Sequence, residues 1–484
     1  MITHEEHYER RTKILATLGP ATDSLEMMTR LIQAGVNCVR LNFSHGTHDD
    51  HRKRIALVRE ASKNLNRVIG ILGDLQGPKI RIAKFIDGSI TLKQGDYFTL
   101  DASMDSKSGT QDRVGIDYKA LPNDVVPQDT LLLNDGLITL RVESVEGPRV
   151  HCVVLQGGVL SNHKGINKKG GGLTAKALTE KDYADLEFAV QMDVDYIAIS
   201  FPRNAEDMLE AKRLIAAANG NSSVIAKIER VEAVAAIDEI IMASDGVMVA
   251  RGDLAVEIGD AEVPMVQKHI IQRARSLDKP VIIATQMMES MITNAVPTRA
   301  EVSDVANAVL DNVDAIMCSA ETATGNFPIE TIESMARVCH VVERQPETQQ
   351  SKHRVECQFT RIDEAIAMAT MYTANHFHVR AVVALTESGA TPLWMSRIRT
   401  GLPIYGLSRF TRTLGKLTLY RGVYPLYFDS TQCTRDDVNR QAINLMEKQN
   451  LMEAGDRVIL TKGDYMGRSG GSNAMKILVV GEVL

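Results

Sequence analysis

At 484 residues the chain is too long for a single core, and about two to four domains are expected. Its formal charge of −6, with 44% apolar and 24% charged residues, is ordinary for a globular protein and excludes a surface built for nucleic acid or lipid, so neither is expected as a partner. Six scattered cysteines lack CxxC pairs and metal-ligand spacing, and the polar opening MITHEEHYER carries no apolar run of signal-peptide length; reduced thiols and a cytoplasmic address are expected.

Residues 1–10 are expected to form an N-terminal tail. From Thr12 short β-rich apolar runs alternate with amphipathic helical stretches at the interval of βαβ units. The runs KILATLG, CVRLNF and VIGILGDL predict three strands, with helices from about Leu25 to Ala34 and from about Asp49 to Asn66 between them. The helical period then stops. Turn signals at Asp87-Gly88, Asn134-Asp135-Gly136 and Glu146-Gly147-Pro148 predict an inserted all-β domain over 79–173, with Gly77-Pro78 and Gly170-Gly171-Gly172 as candidate hinges. The βα rhythm returns at Leu178, where Thr179 and Asp182 have capping-box spacing, and YIAIS, VIAKIE, GVMVARGD, VIIATQ and AIMCSAET bring the strands to eight. Eight βα units interrupted after the third predict an α/β fold, a (β/α)8 TIM barrel over 11–78 and 174–344 with an inserted lid. Its last helix is expected to begin at Pro328. A charged connection, ERQPETQQSKHR, leads to five strands, AVVALT, PIYGLS, VYPLYF, RVILTK and MKILVV, which predict a C-terminal α/β domain over 345–484.

The stretch from Val224 to Gly259 reads as strand, helix, strand, the helix showing apolar positions at Val231, Val234, Ile237 and Ile241. Lys227 and Glu229, two apart at a strand end, face the same way, and Arg251 and Asp253 are expected to leave the next strand similarly. Paired acids suit a hard divalent cation, and Lys and Arg suit phosphate or carboxylate; strand-end salt bridges are the alternative. A barrel presents reactive groups at its C-terminal strand ends. There stand Arg40, Asn42, Ser44 and His45 after strand two, Asp74 after three, Lys227 and Glu229 after five, Arg251 and Asp253 after six, Thr285 after seven, and Ser319 and Glu321 after eight. Independent structural roles seldom converge on one rim.

The motifs RTKILATLGPAT, VRLNFSHG, GDLQGPKIR, VIAKIER, MVARGDLAVEI, ATQMMESM with PTRAEVSDVANAV, and SAETATG run through nearly the whole chain, which on them resembles the pyruvate kinase family. The resemblance implies transfer of the phosphoryl group of phosphoenolpyruvate to ADP, giving pyruvate and ATP. By motif match Glu229 and Asp253 would hold Mg2+ or Mn2+, and Lys227 and Arg40 would face the transferring phosphoryl group. The backbone of Ala250, Arg251 and Gly252 would take the substrate carboxylate, beside Asp253 and Thr285. Thr285, with Ser319 and a relayed water, would lie on the proton path to the enolate. Asn42 and His45 from the barrel, and Arg81 and Lys164 from the lid, would surround the nucleotide phosphates. A homotetramer and an effector site on the C-terminal domain are also implied. A carbon–carbon lyase on the same barrel would need neither lid nor ADP, and a silent regulatory protein would have no use for the acids, the Lys and the Thr together.

Two departures from the family pattern set further expectations. Many members bind potassium through residues corresponding to Asn42, Ser44 and Asp74 and a following Thr, which here is Leu75; Gln76 and Lys79 replace a Lys and an acid. A fixed ammonium on Lys79 would repel potassium from that region, so the potassium-independent type is expected. In the C-terminal domain, Thr386, Ser388, Gly389, Thr391, Arg468 and Ser469 lie in Gly- and Ser-rich loops that suit a phosphate. Glu387 and Ala390 supply no cation there, which favours a sugar monophosphate or AMP over a bisphosphate.

Overall fold

A computed structural model describes residues 10–349, 358–434, 437–464 and 470–482. Arg468, Ser469 and nearly all of the expected tail lie outside the described residues.

Eight strands, β1 (Lys13–Thr17), β2 (Cys38–Asn42), β3 (Gly70–Asp74), β4 (Tyr196–Ile199), β5 (Ser223–Ile228), β6 (Gly246–Ala250), β7 (Val281–Ala284) and β8 (Ala315–Cys318), close into a parallel barrel. Each pairs with its chain neighbours, and β1 closes on β8 with Lys13 opposite Ala315. Both faces of such a sheet are covered, which explains the near-continuous apolar runs. Leu15, Leu72, Ile225, Met248, Ile282 and Met317 pack together inside the barrel, while the alternating Ile14, Ile71, Val224, Val247 and Ile283 pack with the surrounding helices. Thr179 caps the helix Glu180–Gln191 in a capping box with Asp182, as its spacing predicts. The last barrel helix spans Pro328–Glu343.

Two local expectations fail. The single helix expected after β5 is broken at Ala236 (φ −97°, ψ 21°) into Val231–Ala235 and Ile237–Ala243. Each half faces a different neighbour, the first packing on helix Arg251–Ile258 and the second on Ala205–Ala217 and Val263–Ser276. Arg251 and Asp253 do not extend a strand, because the chain turns directly from β6 into helix Arg251–Ile258. Two apart on a helix, their side chains diverge instead of sharing a face.

The insertion contains a six-stranded and a two-stranded sheet around its own core, which includes Ile82, Phe98, Leu131 and Val150. It also holds a short helix, Leu121–Asp124, that the turn pattern does not announce. Asn134, Asp135 and Gly136 all have positive φ, as a tight turn between Thr130–Leu133 and Ile138–Glu146 demands. The return to the barrel needs glycine: Gly171 has φ +79°, and a Cβ there would lie 2.6 Å from Glu232 Oε1.

The C-terminal sheet contains β9 (Ala381–Leu385), β10 (Ile404–Ser408), β11 (Val423–Tyr427), β12 (Arg457–Gly463) and β13 (Ser472–Val479), in the order β11-β10-β9-β12-β13. Only β13 is antiparallel. Both ends of TKGDYMGRSGGSN, expected as a loop, are strand, since Thr461 to Gly463 end β12 and Ser472 and Asn473 begin β13; residues 465–469 lie outside the described residues. This domain docks under the N-terminal ends of the barrel strands. Lys13 donates to Val423 O, Arg397 pairs with Asp314, and Arg11 and Arg421 flank Glu343. The opposite rim stays open to the lid. Cys38, Cys152, Cys318, Cys339 and Cys433 are free, and no helix among the described residues is long and apolar enough to cross a membrane.

Candidate active site

The centre of the rim is a buried chain of charges. Lys227, at the end of β5, places Nζ 2.9 Å from Glu229 Oε1, 3.2 Å from Asp74 Oδ1 and 2.7 Å from Ser200 Oγ. Arg40, in the middle of β2, donates Nε to Asp74 Oδ2 at 2.6 Å and Nη1 to Thr17 Oγ1 at 3.1 Å. Glu229 Oε2 accepts the Phe201 N–H at 2.8 Å. Burial acts to lower the Lys227 pKa, but the carboxylates of Asp74 and Glu229 outweigh it and keep the ammonium charged. Burial would likewise raise Asp74, yet Lys227 and Arg40 hold it below the usual carboxylate value. Burial pushes Glu229 up to about 7; Lys227 opposes the rise and Asp253 adds to it.

Asp253 stands in the first turn of helix Arg251–Ile258 with Oδ1 3.1 Å from Lys79 Nζ. Lys79 thus meets Asp253, and no hydrogen bond or ion pair joins it to Asn42, Ser44 or Asp74, the group with which its sequence position associates it. Arg251 turns away, donating to Asp304 Oδ1 and Thr285 O, each at 2.7 Å. The Gly252 N–H points to Thr285 Oγ1 at 2.9 Å, while that hydroxyl donates to Ala284 O. Thr285 and Gln286 have φ of +68° and +57°, a costly conformation for a β-branched residue and one that concentrates at functional sites. Ser319 and Met288 both donate their N–H to the buried Glu321, which joins the loops after β7 and β8.

The expected nucleotide residues fall into two sets. Asn42 and His45 lie on the loop after β2, where the Asn42 side chain accepts the Ser44 N–H at 3.1 Å and His45 is exposed. Arg81 and Lys164 sit on adjoining lid segments, with Arg81 Nη1 on His163 O at 3.1 Å and Ile82 N on Lys164 O at 2.9 Å. No hydrogen bond joins the two sets among the described residues. A cleft of 680 Å3 separates lid from barrel beside Asp253, with Lys79, Asp135, Lys169, Gly252 and Gln286 on its walls.

Comparison with known proteins decides what these parts belong to. The model for the pyruvate kinase barrel domain matches residues 9–332, and that for the pyruvate kinase alpha/beta domain matches 364–478. The chain belongs to the pyruvate kinase family. It is 54% identical to pyruvate kinase II of Salmonella typhimurium over 477 residues, covering 97% of this chain and 99% of the relative. Similarity to the pyruvate kinase of Haemophilus influenzae is 53% over 458 residues, 94% of this chain and 96% of the other. The Geobacillus stearothermophilus enzyme is 41% identical over 481 residues, 98% of this chain but 81% of that longer protein. The chain is accordingly a phosphotransferase.

The residues present fit the divalent cation that pyruvate kinases use. Glu229 Oε1 and Asp74 Oδ1 are buried and face the Lys227 ammonium without a hydrogen bond of good direction. No group of three or more His, Cys, Asp or Glu suited to a metal occurs among the described residues. Three contributors, Thr17, Ser200 and Asp304, are not singled out by the sequence reading. Thr17 ends β1 and Ser200 follows β4, so the strand-end rule that singles out the others applies equally to them. Asp304 offers no such signal, because it meets Arg251 from a helix 53 residues away.

Proposed function

We propose that the rim transfers the phosphoryl group of phosphoenolpyruvate to ADP, and the observation that carries this reading is the buried Arg40, Asp74, Lys227, Glu229 array beside Asp253. Phosphoryl transfer asks for positioning and charge neutralisation more than for covalent chemistry. Lys227 and Arg40 supply two fixed cations for the phosphoryl oxygens, held in place by Asp74 between them. Mg2+ or Mn2+ on Glu229 and Asp253 would add Lewis-acid stabilisation of the phosphoryl and enolate oxygens. The N–H groups at the start of helix Arg251–Ile258 suit the substrate carboxylate. Thr285, strained and hydrogen-bonded between Gly252 N and Ala284 O, lies on the proposed proton path with Ser319.

The lid, over 79–173, would close by rotation at Gly77 and the Gly170 to Gly172 run, bringing Arg81 and Lys164 to the nucleotide phosphates near Asn42 and His45 and excluding water. Lys79 is paired with Asp253 and not with Asn42, Ser44 or Asp74; potassium is not required, because the ion would meet a like charge as it neared this ammonium and because a hydroxyl is missing at Leu75. On the C-terminal domain, Thr386, Ser388 and Thr391 line a pocket with Arg409 and Lys462, so a cation absent from the TESGAT loop is provided by β10 and β12 for a sugar monophosphate or AMP. Arg409 Nε lies 3.2 Å from Glu387 Oε2. A homotetramer working in the cytoplasm completes the proposal.

A coupled pyruvate assay with phosphoenolpyruvate, ADP and magnesium tests the reading. Full turnover with sodium as the only monovalent cation is expected, along with a lowered half-saturating phosphoenolpyruvate concentration when a sugar monophosphate or AMP is added. Absence of pyruvate formation overturns the assignment, and a strong potassium requirement overturns the role given to Lys79.

A further inference from the structure

At the junction of barrel and C-terminal domain a cavity of 370 Å3 opens among Lys268, Gln272, Arg275, Ser276, Asp311 and Arg399. That is the size of a small-molecule site. The first four project from helix Val263–Ser276 at spacings that share one face, Asp311 caps helix Arg299–Leu310, and Arg399 follows helix Ala390–Ser396 of the other domain. The charges here do not balance. Lys268 is neutralised by Asp311, whose two oxygens lie 2.6 and 2.8 Å from Nζ. Among the described residues Arg275 donates to the carbonyls of Asn312 and Arg397, at 3.0 and 3.2 Å, and Arg399 to Glu347 O at 2.8 Å. Neither guanidinium has a carboxylate within ion-pair distance among the described residues. The buried acids nearby, Asp314 and Glu343, are already engaged by Arg397, Arg11 and Arg421. Burial, then the neighbouring Arg397, lowers the Arg275 pKa to about 9; Asp314 opposes the fall, and Arg399 and Arg421 add to it.

We propose that this junction cavity binds a small phosphate-bearing anion, grasped by Arg275 from the barrel and Arg399 from the C-terminal domain. Two guanidiniums suit a doubly charged tetrahedral oxyanion because their planar donor forks take its oxygens in pairs. Gln272 and Ser276 add an amide and a hydroxyl that match the hydroxyls of an organic phosphate. Bound there, the anion ties together domains that otherwise meet through their own side chains, so occupancy stabilises the junction.

The test is calorimetric titration and thermal melting of the full chain with inorganic phosphate and, separately, glucose 6-phosphate. Saturable binding with a raised Tm is expected. It should survive Ser388→Ala with Arg409→Gln, which separates it from the pocket on the C-terminal domain, and weaken by roughly tenfold or more in Arg399→Gln. Tighter binding of glucose 6-phosphate supports an organic phosphate as occupant, and equal affinities support the inorganic ion. No saturable binding in the parent, or unchanged affinity in both Arg399→Gln and Arg275→Gln, overturns the proposal.

Discussion

The barrel carries a buried ionic cluster at each end, and the two are finished differently. In the base cluster every oxygen of Glu343 and Asp314 has a donor. Glu343 accepts the N–H groups of Arg11 and Thr12, each at 2.7 Å, and the Thr12 hydroxyl at 2.6 Å. Asp314 accepts Val281 N and Arg421 N, both at 3.0 Å, as well as the Arg397 guanidinium. At the rim, Asp74 Oδ1 and Glu229 Oε1 have only an ill-directed ammonium. Burial and charge are common to both clusters, and Arg421 Nη2 at the base also lacks a hydrogen bond; what separates the two is that the oxygens of Glu343 and Asp314 all have well-directed donors, whereas two carboxylate oxygens at the rim do not.

Removing charges at the rim should therefore cost turnover and not folding. Glu229→Gln and Asp253→Asn are each expected to lower kcat by roughly 10^3-fold, with the Tm little changed. Near-normal turnover at ordinary magnesium in either of them would erase the distinction. Glu343→Gln at the base should do the reverse, costing about 3–5 kcal/mol of stability because Arg11 and Arg421 lose a buried partner. Denaturant melts measure the loss, and turnover per folded molecule should hold.

A third variant gives the comparison a pH axis. Asp195, at the base, is half-buried, with its carboxylate packed beside Gly415 of the C-terminal domain, and accepts the Ile71 N–H at 2.8 Å. Burial raises its pKa to about 7 from an ordinary 3.8, so the folded state holds a proton that the unfolded chain releases. The contribution of this group is fully present below the unfolded value and is lost as pH rises through the folded one. Asp195→Asn, which keeps an acceptor and carries no charge, should gain on the parent between pH 4 and 7, by on the order of 4 kcal/mol above that range. Parallel urea melts at pH 5 and 8 that show a constant difference would contradict this. The smallest effect belongs to Ser200→Ala, which removes one hydrogen bond from Lys227 but leaves its carboxylates. It should slow turnover by about tenfold.

Strand order, the insertion and the rim were legible because each rests on local rules. A buried parallel strand shows itself as an apolar run, and the residue that ends it faces the site. Lys227 and Glu229 share a face as a period of two requires. Where the chain changes from strand to helix the rule changes, and the divergence of Arg251 from Asp253 follows from the turn after β6. The partners that complete the site come from far away. Asp253 meets Lys79 across 174 residues, and Arg409 and Lys462 join Ser388 only because β10 and β12 flank β9. No periodicity encodes such meetings.

The closure of β1 on β8 has a consequence for synthesis. Thr17 Oγ1 reaches Cys318 O across 301 residues, so β1 keeps one unpaired edge until the last barrel strand has emerged from the ribosome. At about 5–20 residues per second that interval lasts on the order of tens of seconds. The inserted lid is contiguous in sequence, has its own core, and completes its pairings within one short stretch of translation. A nascent chain stopped before Ala315 should therefore carry a protease-resistant lid between barrel segments that are still cleavable. An open strand edge of this kind invites pairing with other chains, and it is during this wait that the protein is most exposed to aggregation and has most need of a chaperone.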